Sequence, residues 1–181
     1  MKKAMIDIET LGTSAEAIIT EVAIVICEAG CYDFAIHLHL DWSEQEELGR
    51  TIDVWTLRWW LASGRKDMLA ESAAVQHDKE GQLRPNMACI FSALFDCDEI
   101  WANSPSFDVA IINSLFHQLG MSNIDHTKQR DFRTVRKLHP EVAYEYPVDA
   151  HNALADARAQ VAHLRKLGVF EASFSKEVSN A

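Results

Sequence analysis

A chain of 181 residues, 48% of them hydrophobic, is enough for one well-packed α/β domain and short for two. A formal net charge of −10, from 17 basic against 27 acidic residues, speaks against a protein that coats long duplexes. Asp7 and Glu9 interrupt the apolar stretch after Met1-Lys2-Lys3, and no later run approaches a bilayer span, so the expectation is one soluble, cytoplasmic domain over residues 1–181 with no membrane partner.

Residues 4–9 read as a short buried strand. Asp7 and Glu9 share one face of it, about 7 Å apart along the backbone. Two like charges in an apolar setting are costly unless a cation compensates them, and a divalent metal is the obvious candidate. The run from Ile18 to Cys27 is rich in β-branched residues and suits a central strand, with Ala29-Gly30 as a turn. Residues 32–41 then alternate, placing Phe34, Ile36, Leu38 and Leu40 on one face and predicting a hairpin. His37 and His39 fall on the opposite face, which reads as a solvated face or edge rather than a metal pair.

Helical spacing begins near Val54, where Trp55 and Trp59 share a face. A polar stretch from Val75 to Arg84 predicts a loop, followed by a helix with Pro85 in its first turn and a stripe of Met87, Ile90, Phe91, Leu94 and Phe95. Residues 99–103 predict a short strand running into a turn. Ser104 and Pro105 open a helix whose apolar side carries Phe107, Ile111 and Leu115. Asp108 lies in its first turn, where the macrodipole favours an anion, just past the carboxyl end of a strand, the usual place for sites in open α/β sheets.

Residues 1–50 hold 3 basic and 10 acidic residues, whereas residues 101–181 hold 9 of each, with Lys128, Arg130, Arg133, Arg136 and Lys137 clustered. That cluster suits either phosphate steering or a solvated helix side. A final helix fits Asn152 to about Leu167, with Leu154, Ala157, Val161 and Leu164 inward and a polar, frayed tail after Phe174. His151 before this helix and Asp156 in its second turn can project toward one point. The cysteines Cys27, Cys31, Cys89 and Cys97 lack zinc or haem spacing and read as reduced, mostly buried thiols. Three β elements followed by alternating helix and strand predict an α/β sandwich with a mixed sheet.

Taken one at a time, each acidic segment is an ordinary feature. Together, Asp7-x-Glu9, Phe107-Asp108 and His151-x4-Asp156, in that order, resemble the DEDDh family of 3′-5′ exonucleases, over residues 5 to about 165. More narrowly, Asp-Ile-Glu-Thr-Leu-Gly-Thr13 and Thr56-Leu-Arg-Trp-Trp60 resemble the subgroup of phage DexA-type exonucleases and a mycobacterial adenosine-preferring exoribonuclease. The resemblance implies an RNase H-like fold, a five-stranded mixed sheet of order 3-2-1-4-5 with strand 2 antiparallel and helices on both faces.

It also implies roles. Asp7 would bridge two Mg²⁺ or Mn²⁺ ions, with Glu9 and Asp156 completing the first site and Asp108 holding the second; hard oxygen ligands suit these ions. His151 would be the general base. Thr10 and Leu11 would offer backbone amides to a 3′-hydroxyl and an apolar wedge to a base, and Gly12 would let the backbone turn closely. Trp59, Trp60 and Phe107 are further candidate substrate contacts, although an aromatic pair on one helix face, such as Trp55 and Trp59, more often belongs to a core or a dimer interface than to a nucleotide platform.

The activity implied is hydrolysis at single-stranded 3′ ends of RNA or DNA, releasing nucleoside 5′-monophosphates, by a homodimer. Two other readings compete. A catalytically silent nucleic-acid-binding module on the same fold would have no need of so costly an acid cluster. A zinc-dependent phosphatase or small-nucleotide hydrolase would draw on the histidines.

Overall fold

The alternation that puts Asp7 and Glu9 on one face of their strand also divides the core in two. The computed structural model describes residues 1–74 and 82–171. Most of the expected 75–84 loop and the tail after Phe174 therefore lie outside the described residues.

Strands β1 (Lys2–Thr10), β2 (Ile19–Glu28) and β3 (Phe34–His39) form an antiparallel meander. Three short helices follow, α1 (Trp42–Glu47), α2 (Val54–Ala62) and α3 (Lys66–Ala73), then α4 (Leu83–Phe95). Strand β4 (Glu99–Ala102) pairs parallel with β1, and β5 (Gln129–Asp131) pairs parallel with β4, with α5 (Asp108–Gln118) between them. Helices α6 (Phe132–Leu138) and α7 (Ala153–Lys166) close the described chain. The sheet order is β3-β2-β1-β4-β5, the five-stranded mixed sheet that the resemblance implies.

Even-numbered β1 residues Ala4, Ile6 and Ile8 pack with Ile24 and Ile26 against the apolar stripes of α4 and α5. Odd-numbered Met5 joins Ala23, Val25, Cys27 and Trp101 against Ala153, Ala157, Val161 and Leu164 of α7. Asp7 and Glu9 continue this odd face, so the acids emerge where the α7 layer ends. The β1–β2 pairing sets Asp7 opposite Ala23 and Glu9 opposite Glu21, then shifts register between Glu9 and Thr10. That irregularity turns the chain out of the sheet at the point where the site begins.

Two expectations need correcting. Of the free cysteines only Cys27 and Cys97 are buried, while Cys31 and Cys89 are exposed, because Cys31 sits in the β2–β3 turn and Cys89 on the outer side of α4. His37 and His39 do lie on an edge strand but are half-buried, since their face of β3 is the one that α7 covers. Among the described residues no helix is long and apolar enough to cross a membrane.

Candidate active site

A cleft of ≈ 440 Å³ opens past the carboxyl ends of β1 and β4 and is lined by Asp7, Glu9, Asp108, His151 and Asp156 together. Each side chain arrives by a different local device. Asp7 is only 8% exposed and takes a hydrogen bond at Oδ1 from Gln160 Nε2 on α7, 2.8 Å away. Asp108 is the first residue of α5, and its Oδ2 accepts the Ser104 backbone N–H at 3.2 Å. Asn152 caps α7 by accepting the Ala155 N–H at 2.9 Å.

Asp156, one turn into that helix, reaches back to accept the His151 backbone N–H at 2.6 Å. This bond holds His151 at φ 66°, in the left-handed region that a non-glycine residue occupies only when its surroundings impose it. One ligand atom each from Glu9, His151 and Asp156 lies within 4.8 Å of the others. The imidazole packs edge-on against Trp59, with ring centroids 4.8 Å apart, and stands 6.3 Å from Trp60.

The electrostatics are those of four carboxylates crowded into a buried cleft. Burial, then repulsion from Asp108, Glu9 and Asp156, raises the Asp7 carboxyl well above the usual range, against the Gln160 hydrogen bond. Glu9 is raised well above its usual value by burial and by the charges of Asp156, Glu21 and Asp108. Burial pushes Asp108 up to about 6 although the Ser104 N–H favours its anion. Asp156 is also raised, chiefly by burial. Burial lowers His151, with Arg65 adding to the effect and Asp156 opposing it, so a neutral imidazole is available to accept a proton at neutral pH.

Four converging carboxylates, each disfavoured as an anion, are hard oxygen donors suited to divalent cations, and the described cluster contains no thiolate. The donor set therefore fits hard divalent cations of the kind that the resemblance implies.

The expected substrate contacts divide. Thr10 lines the cleft, its hydroxyl donating to the Gly12 carbonyl at 2.6 Å. Gly12 and Phe107 line it too. At Gly12 an added Cβ would come within 3.1 Å of Ala17 Cβ, tighter than an ordinary contact, so the backbone passes close to Ala17 there. Leu11 is fully buried among Ile18, Trp60 and Leu69, and its N–H donates to the Ile18 carbonyl at 2.9 Å. Trp59 is 46% exposed on the cleft wall, whereas Trp60 is buried beneath it with Nε1–H donating to the Thr10 carbonyl at 3.0 Å. Trp55 does not line the cleft.

The opposite wall holds more than the sequence singles out. Arg133 and Arg136 reach the cleft, and beside them stand Phe132, Tyr144 and Tyr146. The Arg136 guanidinium lies 5.0 Å from the Tyr144 ring centroid and 6.0 Å from that of Tyr146, which is 72% exposed. A tyrosine pair shortly before His151 is the available signal. Gln160, four residues after Asp156 and thus on the same side of α7, is also legible by helical spacing.

Exonuclease I shares this fold. One of its structures superposes with a TM-score of 0.66 at 15% identity, over 94% of this chain and 41% of that one. The E. coli enzyme in complex with a 5cy-dA13 oligonucleotide gives 0.63 at 13% identity, over 94% and 41%. The zinc-bound form of its complex with single-stranded DNA gives 0.61 at 14% identity, over 93% and 40%. The chain thus spans about two-fifths of the length of these enzymes, and at such identities the likeness concerns the fold. No curated protein sequence matches the chain. Residues 2–167 match the 3′-5′ exoribonuclease Rv2179c-like domain, and the chain belongs to that family of DEDDh 3′-5′ exonucleases.

Proposed function

We propose that this cleft shortens single-stranded nucleic acid one nucleotide at a time from its 3′ end, releasing nucleoside 5′-monophosphates, with RNA the first substrate to test. The family description favours RNA, while E. coli exonuclease I is seen bound to DNA oligonucleotides. The observation that carries the reading is the convergence of Asp7, Glu9, Asp108 and Asp156 on one cleft with the His151 imidazole at its rim.

Asp7, Glu9, Asp108 and Asp156 would hold divalent ions, two in the arrangement that the resemblance implies. When bound, such ions supply Lewis acidity for an in-line displacement at phosphorus, easing both attack by water and departure of the 3′-oxygen. His151 accepts the proton of the attacking water, a role its lowered basicity suits. The new P–O bond forms as the P–O3′ bond breaks, and the departing 3′-oxygen takes a proton from solvent. Trp59 and Phe107 present apolar surface to the terminal base, and Thr10 and Gly12 shape the backbone beneath it. Arg133 and Arg136 on the facing wall supply positive charge for the phosphates upstream.

A homodimer accompanies this reading. On and next to α2, Ile52, Val54, Trp55 and Leu61 are all exposed, an apolar surface of the sort that a second copy covers. Sedimentation equilibrium tests it, and a monomer at micromolar concentration removes it.

The activity is tested with 5′-labelled RNA and DNA bearing 3′ overhangs, incubated with Mn²⁺, with Mg²⁺ or with EDTA. A ladder shortening from the 3′ end with metal and intact in EDTA is the expected result. Binding without shortening under every metal condition would make the protein a silent binding module.

A further inference from the structure

A second cluster of metal-competent groups lies on the sheet, outside the catalytic carboxylates. Alternation puts His37 and His39 on one face of β3, their ring centroids 5.2 Å apart. The β2–β3 register places Glu21 directly opposite His39 and small Ala23 opposite His37. One ligand atom from each of Glu21, His37 and His39 lies within 4.8 Å of the other two. The Glu21 side chain is 5% exposed and that of His37 28%, so the group is enclosed yet reachable from solvent.

Its polar atoms are only partly satisfied. His37 Nε2 and Glu21 Oε1 hydrogen-bond to each other, and Asn152 Nδ2 donates to the same Glu21 oxygen at 3.0 Å. His39 Nδ1, by contrast, is buried and has no hydrogen-bond partner among the described residues. An ordinary histidine–glutamate pair explains the first two groups but leaves a second imidazole with one ring nitrogen within 4.8 Å of both and its Nδ1 unpartnered among the described residues. Such a loss is costly in a buried site. A cation shared by all three would answer it.

We propose that Glu21, His37 and His39 form a transition-metal site that adjoins the catalytic cluster through Glu21, the β2 partner of Glu9, but shares no residue with it, and that is selective for an imidazole-tolerant dication such as Zn²⁺ over Mg²⁺. Two imidazoles and one carboxylate are a donor set that binds Zn²⁺, Co²⁺ or Ni²⁺ and leaves a further position to water. Ligand atoms around such an ion stand about 3.3 Å apart, given bonds of about 2.0–2.1 Å, so small side-chain adjustments from a spread of at most 4.8 Å would complete the set.

Asn152 would be the outer-shell partner that orients Glu21. The same side chain caps α7 and directly follows His151, so an ion here braces the junction that presents the general base. The site thus gives the sheet edge a structural hold on the catalytic loop without contributing to the chemistry.

The test uses the EDTA-stripped 181-residue chain carrying Asp108→Asn, Asp156→Asn and His151→Gln, which removes the imidazole and two carboxylates of the catalytic cluster, titrated with Co²⁺ by calorimetry and visible absorption. One equivalent with nitrogen–oxygen Co²⁺ absorption is expected to remain. Adding His39→Gln should weaken it by about tenfold or more. Unchanged Co²⁺ binding in the His39→Gln protein overturns the proposal.

A second measurement needs no substitution. In histidine-labelled native protein, substoichiometric Co²⁺ should broaden the ring resonances of His37 and His39, and broadening confined to His151 overturns the site. Because both readouts are of binding, they stand whether or not the protein hydrolyses nucleic acid.

Discussion

The cost of assembling the acid cluster is open to measurement through Asp108→Asn. Asp108 is 4% exposed, and burial carries its carboxyl from 3.8 to about 6. A displacement of about two pK units corresponds to ~3 kcal/mol of differential stability between the protonated and ionised forms. The folded-state value lies above the unfolded one, so the protonated acid favours the fold. Below about pH 4 the residue carries no penalty, and the penalty grows to its full size as pH rises through about 6.

The substituted amide would keep an oxygen to accept the Ser104 N–H but would remove the charge. In EDTA, therefore, wild type and Asp108→Asn should melt together near pH 4 and diverge above it. At neutral pH the variant should be more stable by ~3 kcal/mol, or about 6–12 °C for a chain of this size. Asp7, Glu9 and Asp156 are shifted in the same direction, so the wild-type curve falls further than Asp108 alone requires. Added Mn²⁺ or Mg²⁺ should close the gap by stabilising wild type much more than the variant, and hydrolysis by the variant should be lost. Thermal melts from pH 4 to 8, with EDTA and with metal, decide it. Parallel curves for the two proteins in EDTA would refute the claim that uncompensated charge is stored at this position.

His151→Ala should lower turnover by about two orders of magnitude or more while leaving the melting curve and metal binding nearly intact, and near-normal hydrolysis across pH 6–9 would remove His151 from the chemistry. Trp59→Ala should raise the Michaelis constant for a short oligonucleotide by about tenfold, the scale of one lost base–aromatic stack, with little change in stability. Trp60→Ala should instead destabilise the fold by ~4 kcal/mol, since it empties a buried volume and frees the Thr10 carbonyl, and a urea titration separates the two tryptophans. Gly12→Ala should cost roughly 1 kcal/mol, because its Cβ would press on Ala17 and Asp53, and a neutral result would show that the 13–17 loop yields freely.

What the sequence disclosed followed the reach of its periodicities. Asp7 and Glu9 obey the two-residue period of β1, and Asp156 and Gln160 obey the turn of α7, so their shared faces could be read before any contact was known. The same period put His37 and His39 together, but the sheet register that brings Glu21 beneath them depends on a turn at residues 29–33 whose geometry is not periodic. The burial of Leu11 lay beyond that reach for a related reason. It is decided by Ile18 across an irregular loop and by Trp60 some fifty residues later, and an apolar side chain just past a strand looks the same whether it faces substrate or core. Tyr144 and Tyr146 lie between helices, where nothing repeats.

The five-residue gap between His151 and Asp156 carries more than the placement of two ligands. Asp156 is the acceptor that holds the His151 N–H from within the helix, and Asn152 caps that helix between them. One carboxylate therefore faces the cluster while keeping the residue before the cap in a left-handed conformation. A shorter or longer gap would move Asp156 around α7 by about 100° per residue, taking it off the cleft and away from the His151 amide together. The spacing is the part of the motif with the least freedom, because two geometric conditions meet in one side chain.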